Sequence, residues 1–238
     1  MKKLYILLAV FCFASCSKIE IEEIVVNNKK MRERLIFMYD TNKDGILSKA
    51  EALKVTMIDV NWSDEPIDCL ENFPNLEALF ITNCECESID LSKNAKLTNL
   101  TCWYNKLKTL DLTNNPELQG LTCADAELES ISLGYHPKLV WLHCGKNKLT
   151  SLDFSGCDNL TRLTCYNNLL TELDVNHNSK LETLDCNRNQ LETIDVSANL
   201  RLWSLECQNN PNMTTAYLKA GQTILMFIKD PHTAVVYL

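Results

Sequence analysis

Five side chains suited to a hard cation fall within twelve residues: Asp40, Asn42, Asp44, Ser48 and Glu51, in the stretch Asp40-Thr41-Asn42-Lys43-Asp44-Gly45-Ile46-Leu47-Ser48-Lys49-Ala50-Glu51. Calcium takes six to eight oxygens in a flexible geometry. In this order Asp40, Asn42 and Asp44 offer side-chain oxygen, Ile46 its backbone carbonyl, Ser48 a bridging water and Glu51 both carboxylate oxygens. Gly45 permits the sharp turn, and Leu47 turns an apolar side chain back toward the domain. Ca2+ is the cofactor this spacing predicts; an acidic turn that binds nothing is the alternative.

Cysteine is the second chemistry-bearing set. Of twelve cysteines, six (Cys102, Cys123, Cys144, Cys165, Cys186 and Cys207) each follow the last by 21 residues. Such a row stacks into a straight line on strands about 4.8 Å apart. Neighbours pointing the same way rarely reach the disulfide torsion, and a straight row cannot make a tetrahedral metal site. These thiols are read as small buried apolar groups. Cys69, Cys84 and Cys86 lie off the row, and a disulfide among them stays open.

The elements that must position these residues follow from periodicity. Met31, Leu35, Met38 and Tyr39 fall on helical spacing before the acidic loop, and Ala50 to Lys54 make a short exiting helix. The loop matches the EF-hand calcium loop at each diagnostic position and resembles the paired loops of dockerin modules. Here no second loop follows, so residues 29–54 are expected to form a helix-loop-helix cap on whatever comes next. Its calcium is expected to be structural, with an affinity on the order of 0.1 to 1 mM.

What comes next is a repeat. From Leu97 the pattern runs Leu97, Leu100, Cys102, Asn105, Leu107, Leu110, Leu112, and later units begin at Leu118, Leu139, Leu160, Leu181 and Leu202. Each unit has room for two short extended segments and no helix, and must stack on its neighbours to bury its apolar side. Asn105, Asn147, Asn168, Asn189 and Asn210 sit where an amide side chain can satisfy turn backbone. A carboxylate column (Asp90, Asp111, Asp153, Asp174 and Asp195, with Ser132 between) is expected to bond the backbone of the turn that follows. The pattern resembles the leucine-rich repeat family, in its short bacterial class with consensus LxxLxCxxNxLxxLDLxxN. The resemblance implies a mainly β, right-handed solenoid over residues 55–213, with 214–238 as the cap that closes its open edge.

It also implies which residues face outward on the shared sheet. Trp103, Tyr104, Trp141, His143, Arg162 and Tyr166 fall on that face within four consecutive coils and are the candidate ligand-binding residues. Exposed aromatics with an arginine nearby make binding hot spots. A protein or peptide is the partner the resemblance favours, with a glycan stacked on the rings as a second candidate. A structural spacer or adhesin component without a discrete ligand is the alternative. Neither a nucleophile-base set nor a Gly-rich phosphate loop points to an enzyme.

The chain opens with Lys2 and Lys3, an apolar run from Leu4 to Phe13, and Phe13-Ala14-Ser15-Cys16. This has the form of an export signal, too short to span a bilayer. It resembles the bacterial lipobox, which makes Cys16 the lipidation site and residues 17–28 a linker. The acidic leader Ser17-Lys18-Ile19-Glu20-Ile21-Glu22-Glu23 resembles the surface-export signal of lipoproteins in Bacteroidetes. A monomer anchored to the outer membrane, facing outward and touching it only through the lipid, is the expectation. The formal net charge of -8 disfavours nucleic acid as a partner.

Overall fold

The computed structural model describes residues 22–63 and 65–238; the signal segment and Cys16 lie outside the described residues. Each coil lays one strand into a nine-stranded parallel sheet. Its members are β1 (Met57–Asn61), β2 (Ala78–Thr82), β3 (Asn99–Thr101), β5 (Gly120–Thr122), β7 (Trp141–His143), β8 (Arg162–Thr164), β9 (Thr183–Asp185), β11 (Ser204–Glu206) and β13 (Met226–Ile228), in that order. Pairing steps by one repeat at a time: Leu100 faces Leu121, Leu121 faces Leu142, and Leu142 faces Leu163. Because alternate residues of a strand point to opposite faces, every one of these leucines points inward and is sealed.

The other side of the coils carries shorter ladders. Strands β4 (Thr109–Asp111) and β6 (Ser130–Ser132) pair with each other, and β10 (Thr193–Asp195), β12 (Thr215–Leu218) and β14 (Ala234–Tyr237) form a second set. Between the two sets, two coils contribute no strand on this side. One continuous apolar core runs the length of the stack, and the six cysteines in register lie wholly inside it. They are free thiols, as are Cys69, Cys84 and Cys86. Burial pushes the Cys102 and Cys144 thiols up to about 12.

Helix α1 (Lys29–Tyr39) covers the first coil. Asn28 caps it by accepting the Met31 N–H at 2.8 Å, and the same buried side chain donates to Ser63 Oγ at 3.0 Å and to the Glu65 carbonyl at 2.8 Å. One residue thus starts the helix and ties it to the solenoid. Met31 and Leu35 face inward, and α2 (Lys49–Ala52) is the short exiting helix.

Two boundaries differ from the sequence reading. Residues 22–28, read there as part of a linker, are packed: Ile24, Val26 and Asn28 are buried while Val25 is exposed. The Ile24 N–H donates to the Leu47 carbonyl at 2.8 Å and the Lys49 N–H to the Glu22 carbonyl at 3.0 Å. The glutamates drew attention to charge, whereas the alternation beneath them is that of a half-buried strand. At the other end, residues 214–238 continue both ladders and close neither. Phe227 pairs with Leu205 and Val235 with Ala216, so pairing outlives the 21-residue spacing, because a parallel ladder needs only extended backbone and an apolar inward residue.

Candidate binding face and calcium loop

Three outward columns run across the nine-stranded sheet. In the first, Asn99, Gly120, Trp141, Arg162 and Thr183 are in register. In the second, Thr101, Thr122, His143, Thr164 and Asp185 are. Trp103, Ala124, Gly145 and Tyr166 make the third column, each two residues past the end of its strand. Glycine stands one coil before a ring in two places, and the Trp141 and Tyr166 rings lie down over Gly120 and Gly145. A Cβ on Gly120 would stand 1.9 Å from Trp141 Cζ2, and one on Gly145 would stand 2.6 Å from Tyr166 Cε1.

The sequence-predicted residues come together as one patch. The Trp103 and His143 rings meet edge to face at 5.5 Å between centroids, the His143 and Tyr166 rings lie 6.0 Å apart, and Trp103 meets Tyr104 at 6.2 Å. Trp141 and Tyr104 remain broadly exposed, at 41% and 47%, and Arg162 is exposed beside Trp141. Half-burial holds the His143 imidazole below its ordinary range, chiefly by desolvation, with Asp125 opposing and Lys146 adding to the shift. Trp103 Nε1 and His143 Nε2 are buried with no hydrogen-bond partner among the described residues. The patch thus combines flat exposed rings, two unspent polar atoms, a cation and the Lys146–Asp125 pair at its edge.

Backbone turns fix where the patch ends. Asn83, Tyr104, Asp125, Lys146, Asn167, Arg188 and Asn209, each 21 residues after the last, all hold φ between 49° and 59°. This left-handed conformation is disfavoured for most side chains and tolerated by asparagine and aspartate. The sequence reading did not single this column out, although four of its seven members are Asn or Asp. Behind it the buried asparagines work as predicted: Asn147 accepts from the Ala126 and Leu128 N–H groups and donates to the Cys123 and Cys144 carbonyls. The aspartate column also behaves as read, Asp111 accepting the Thr113 N–H at 3.0 Å and Asp153 the Ser155 N–H at 3.0 Å.

A second buried asparagine column escaped the sequence reading: Asn94, Asn115, Asn178 and Asn199, at the same 21-residue spacing, with His136 and Cys157 in the two middle places. Asn115 donates to the Leu91 and Asn94 carbonyls. His136, fully buried, has no hydrogen-bond partner for either ring nitrogen among the described residues.

The acidic loop of residues 40–51 folds into tight turns. Asp40 accepts the Lys43 N–H at 2.6 Å and the Gly45 N–H at 2.9 Å, Asn42 the Asp44 N–H, and Asp44 the Ile46 N–H. Lys43 and Gly45 take positive φ, 60° and 84°. Glu51 is buried and held by four donors, the N–H and hydroxyl of Thr41 and of Ser48. Those hydrogen bonds, from Ser48 first, lower its carboxyl to about 2. The side chains are of the types that calcium takes, but among the described residues no cluster of three His, Cys, Asp or Glu is drawn together as a metal site, and Glu51 is turned to Thr41 and Ser48.

On the other side of the coils, where strands are missing, lies a cavity of about 790 Å3 lined by Asp153, Glu172, Asp174, Asn176 and Asp195 among others. Its aspartates accept the backbone N–H groups of their own turns, Asp153 from Ser155, Asp174 from Asn176 and Asp195 from Ser197.

No protein-family model matches this sequence, and no curated protein matches it. Solved structures do. The functional domain of InlJ from Listeria monocytogenes, described as including a cysteine ladder, is 27% identical over 73% of this chain and 46% of that one, with a TM-score of 0.57. Internalin C2 from Listeria monocytogenes is 17% identical over 90% of this chain and 95% of that one, TM-score 0.60. The leucine-rich repeat domain of APL1B is 18% identical over 79% and 57%, TM-score 0.59. The chain spans less than half the length of the InlJ domain it matches.

Proposed function

We propose, from the leucine-rich repeat solenoid fold that this chain has, that it is an exported binding protein which recognises a protein or peptide on its nine-stranded face. Solenoids of this kind typically serve protein-protein interaction. The observation that carries the reading is the ring pair laid over glycine: Trp141 over Gly120 and Tyr166 over Gly145, with Trp103 and His143 between them. Glycine costs a strand stability and packing; here it lets bulky rings lie flat while their outer faces stay open. Flat aromatic faces supply contact area with little ordering of their own on binding.

In this proposal Cys16 carries the lipid that holds the protein to the outer membrane, facing outward, and residues 22–28 are packed against the cap. Calcium held by Asp40, Asn42, Asp44, Ile46, Ser48 and Glu51 would neutralise the loop and lock it against the leader through the Glu22–Ile24 and Leu47–Lys49 contacts. The carboxylate of Glu51 is already ionised at neutral pH, so no proton must leave for the ion to bind.

The test is affinity capture from bacterial and host surface extracts in calcium buffer. The wild type is compared with Trp103→Ala, Trp141→Ala, Tyr166→Ala combined. A partner held by the wild type and lost by a folded triple variant is expected. Equal capture by both would move the protein to the class of spacers without a discrete ligand on this face.

A further inference from the structure

Beyond its rings the nine-stranded face changes character. Its second outward column runs His143, Thr164, Asp185, Glu206, each in register with the next. Two carboxylates therefore face each other across adjacent strands, where like charges weaken a sheet. At about 4.8 Å per strand, Asp185 stands roughly 10 Å along the column from His143, at the border of the aromatic patch.

In four other places an acid is met by a lysine one coil later: Glu85 by Lys106, Glu117 by Lys138, Asp125 by Lys146 and Glu127 by Lys148. In the same column as the carboxylate pair, Asp59 is held by Arg34 at 3.2 Å. Asp185 and Glu206 break that habit, since among the described residues neither has a salt-bridge partner. Asp185 accepts the N–H and the side-chain amide of Asn187, and Glu206 accepts Gln208 Nε2 at 3.5 Å. Asp153 and Asp174 also stack without a cation, but water covers both, whereas Asp185 and Glu206 are partly buried. Burial raises the Asp185 carboxyl above its ordinary range; the Asn187 N–H opposes the rise and Glu206 adds to it.

We propose that the partner of this face is a basic polypeptide segment, which lays apolar or aromatic side chains on the Trp141 and Tyr166 rings and seats a lysine or arginine between Asp185 and Glu206. The inference rests on the reading of the nine-stranded face as the binding surface, and names the chemistry of what binds there. One guanidinium or ammonium bonds both carboxylates at once and turns their repulsion into two charge-assisted hydrogen bonds. The separation from the rings is spanned by two to four residues of extended chain, at about 3.3 Å each. Arg162 stands in the first column beside Trp141 and reaches neither carboxylate. A neutral glycan stacked on the rings would leave the pair as it is, which favours a peptide over a sugar. The net charge of -8 draws a basic partner toward the chain.

A displayed library of random linear peptides, selected on the full chain carrying Cys16→Ser in calcium buffer, is the probe. The selected peptides are expected to combine an aromatic or apolar residue with a lysine or arginine. Their affinity, read by fluorescence anisotropy, should fall at least tenfold on Asp185→Asn with Glu206→Gln, and equally when the peptide's basic residue is replaced by glutamine. Both substitutions in the protein keep side-chain shape and remove repulsion, so the melting temperature should not fall. Glu129→Gln with Glu192→Gln removes the same charge beside β6 and β10, on the other side of the coils, and should leave affinity unchanged. Peptides that need the three rings yet bind the Asp185, Glu206 variant undiminished, or that weaken as much on the Glu129, Glu192 variant, would overturn this inference and leave the binding face standing. A library that yields no peptide sensitive to Trp103→Ala, Trp141→Ala, Tyr166→Ala combined would overturn both.

Discussion

Asn168 shows how much one side chain carries in this chain. It accepts the Leu149 N–H and donates to the Cys144 and Cys165 carbonyls, all at buried sites where water cannot replace it. Asn168→Ala leaves those groups unpaired and should cost about 2 to 4 kcal/mol, read as a lower denaturant midpoint at unchanged slope. This residue was legible in the sequence, because its spacing repeats and its type has one obvious use at a buried turn. Tyr104, Lys146 and Arg188 were not legible as left-handed positions, because nothing in a side chain of those types announces a positive φ; only their alignment with Asn83, Asp125, Asn167 and Asn209 does. The aromatic residues were placed on the right face by analogy of position. That they lie down over Gly120 and Gly145 follows from two glycines whose role shows only when neighbouring coils are in register.

Among the elements, the second asparagine column shows where stability is left unused. His136 stands in an asparagine place without partners, and burial holds its imidazole below the usual histidine range. The unfolded chain takes up a proton below about pH 6.5 while the folded chain resists it, so stability falls as pH drops through that range, by up to about 1.4 kcal/mol per pH unit. His136→Asn should remove this loss, raising the melting temperature more at pH 5 than at pH 8; an equal gain at both would assign the effect to packing alone. The cap poses a different test. If calcium fills the loop, adding it should raise the melting temperature by a few degrees, as a ligand that binds only the folded state does. Glu51→Ala should abolish that rise, and a wild-type melt indifferent to calcium would reject the site. The cap helices were legible from helical spacing, while the strand-like leader was masked by its charges and the last coil by its lost spacing.

For the whole molecule, a fixed 21-residue period made the architecture readable before any coordinate, since identical spacing of Leu, Cys and Asn leaves stacking as the way to bury the apolar side. Ligand identity is not readable in the same way: the core positions are repeated and explained, and binding resides in what differs between coils. The central claim is that the rings laid flat on the nine-stranded face form the binding surface. Capture of the partner by the Gly120→Ala, Gly145→Ala double variant measures it most directly. Neither glycine has a positive φ, so the added methyl groups displace the Trp141 and Tyr166 rings while leaving the backbone free to stay as it is. Loss of capture by at least tenfold, with the melting temperature held within a few degrees, is the predicted result; undiminished capture by the folded double variant would contradict the account.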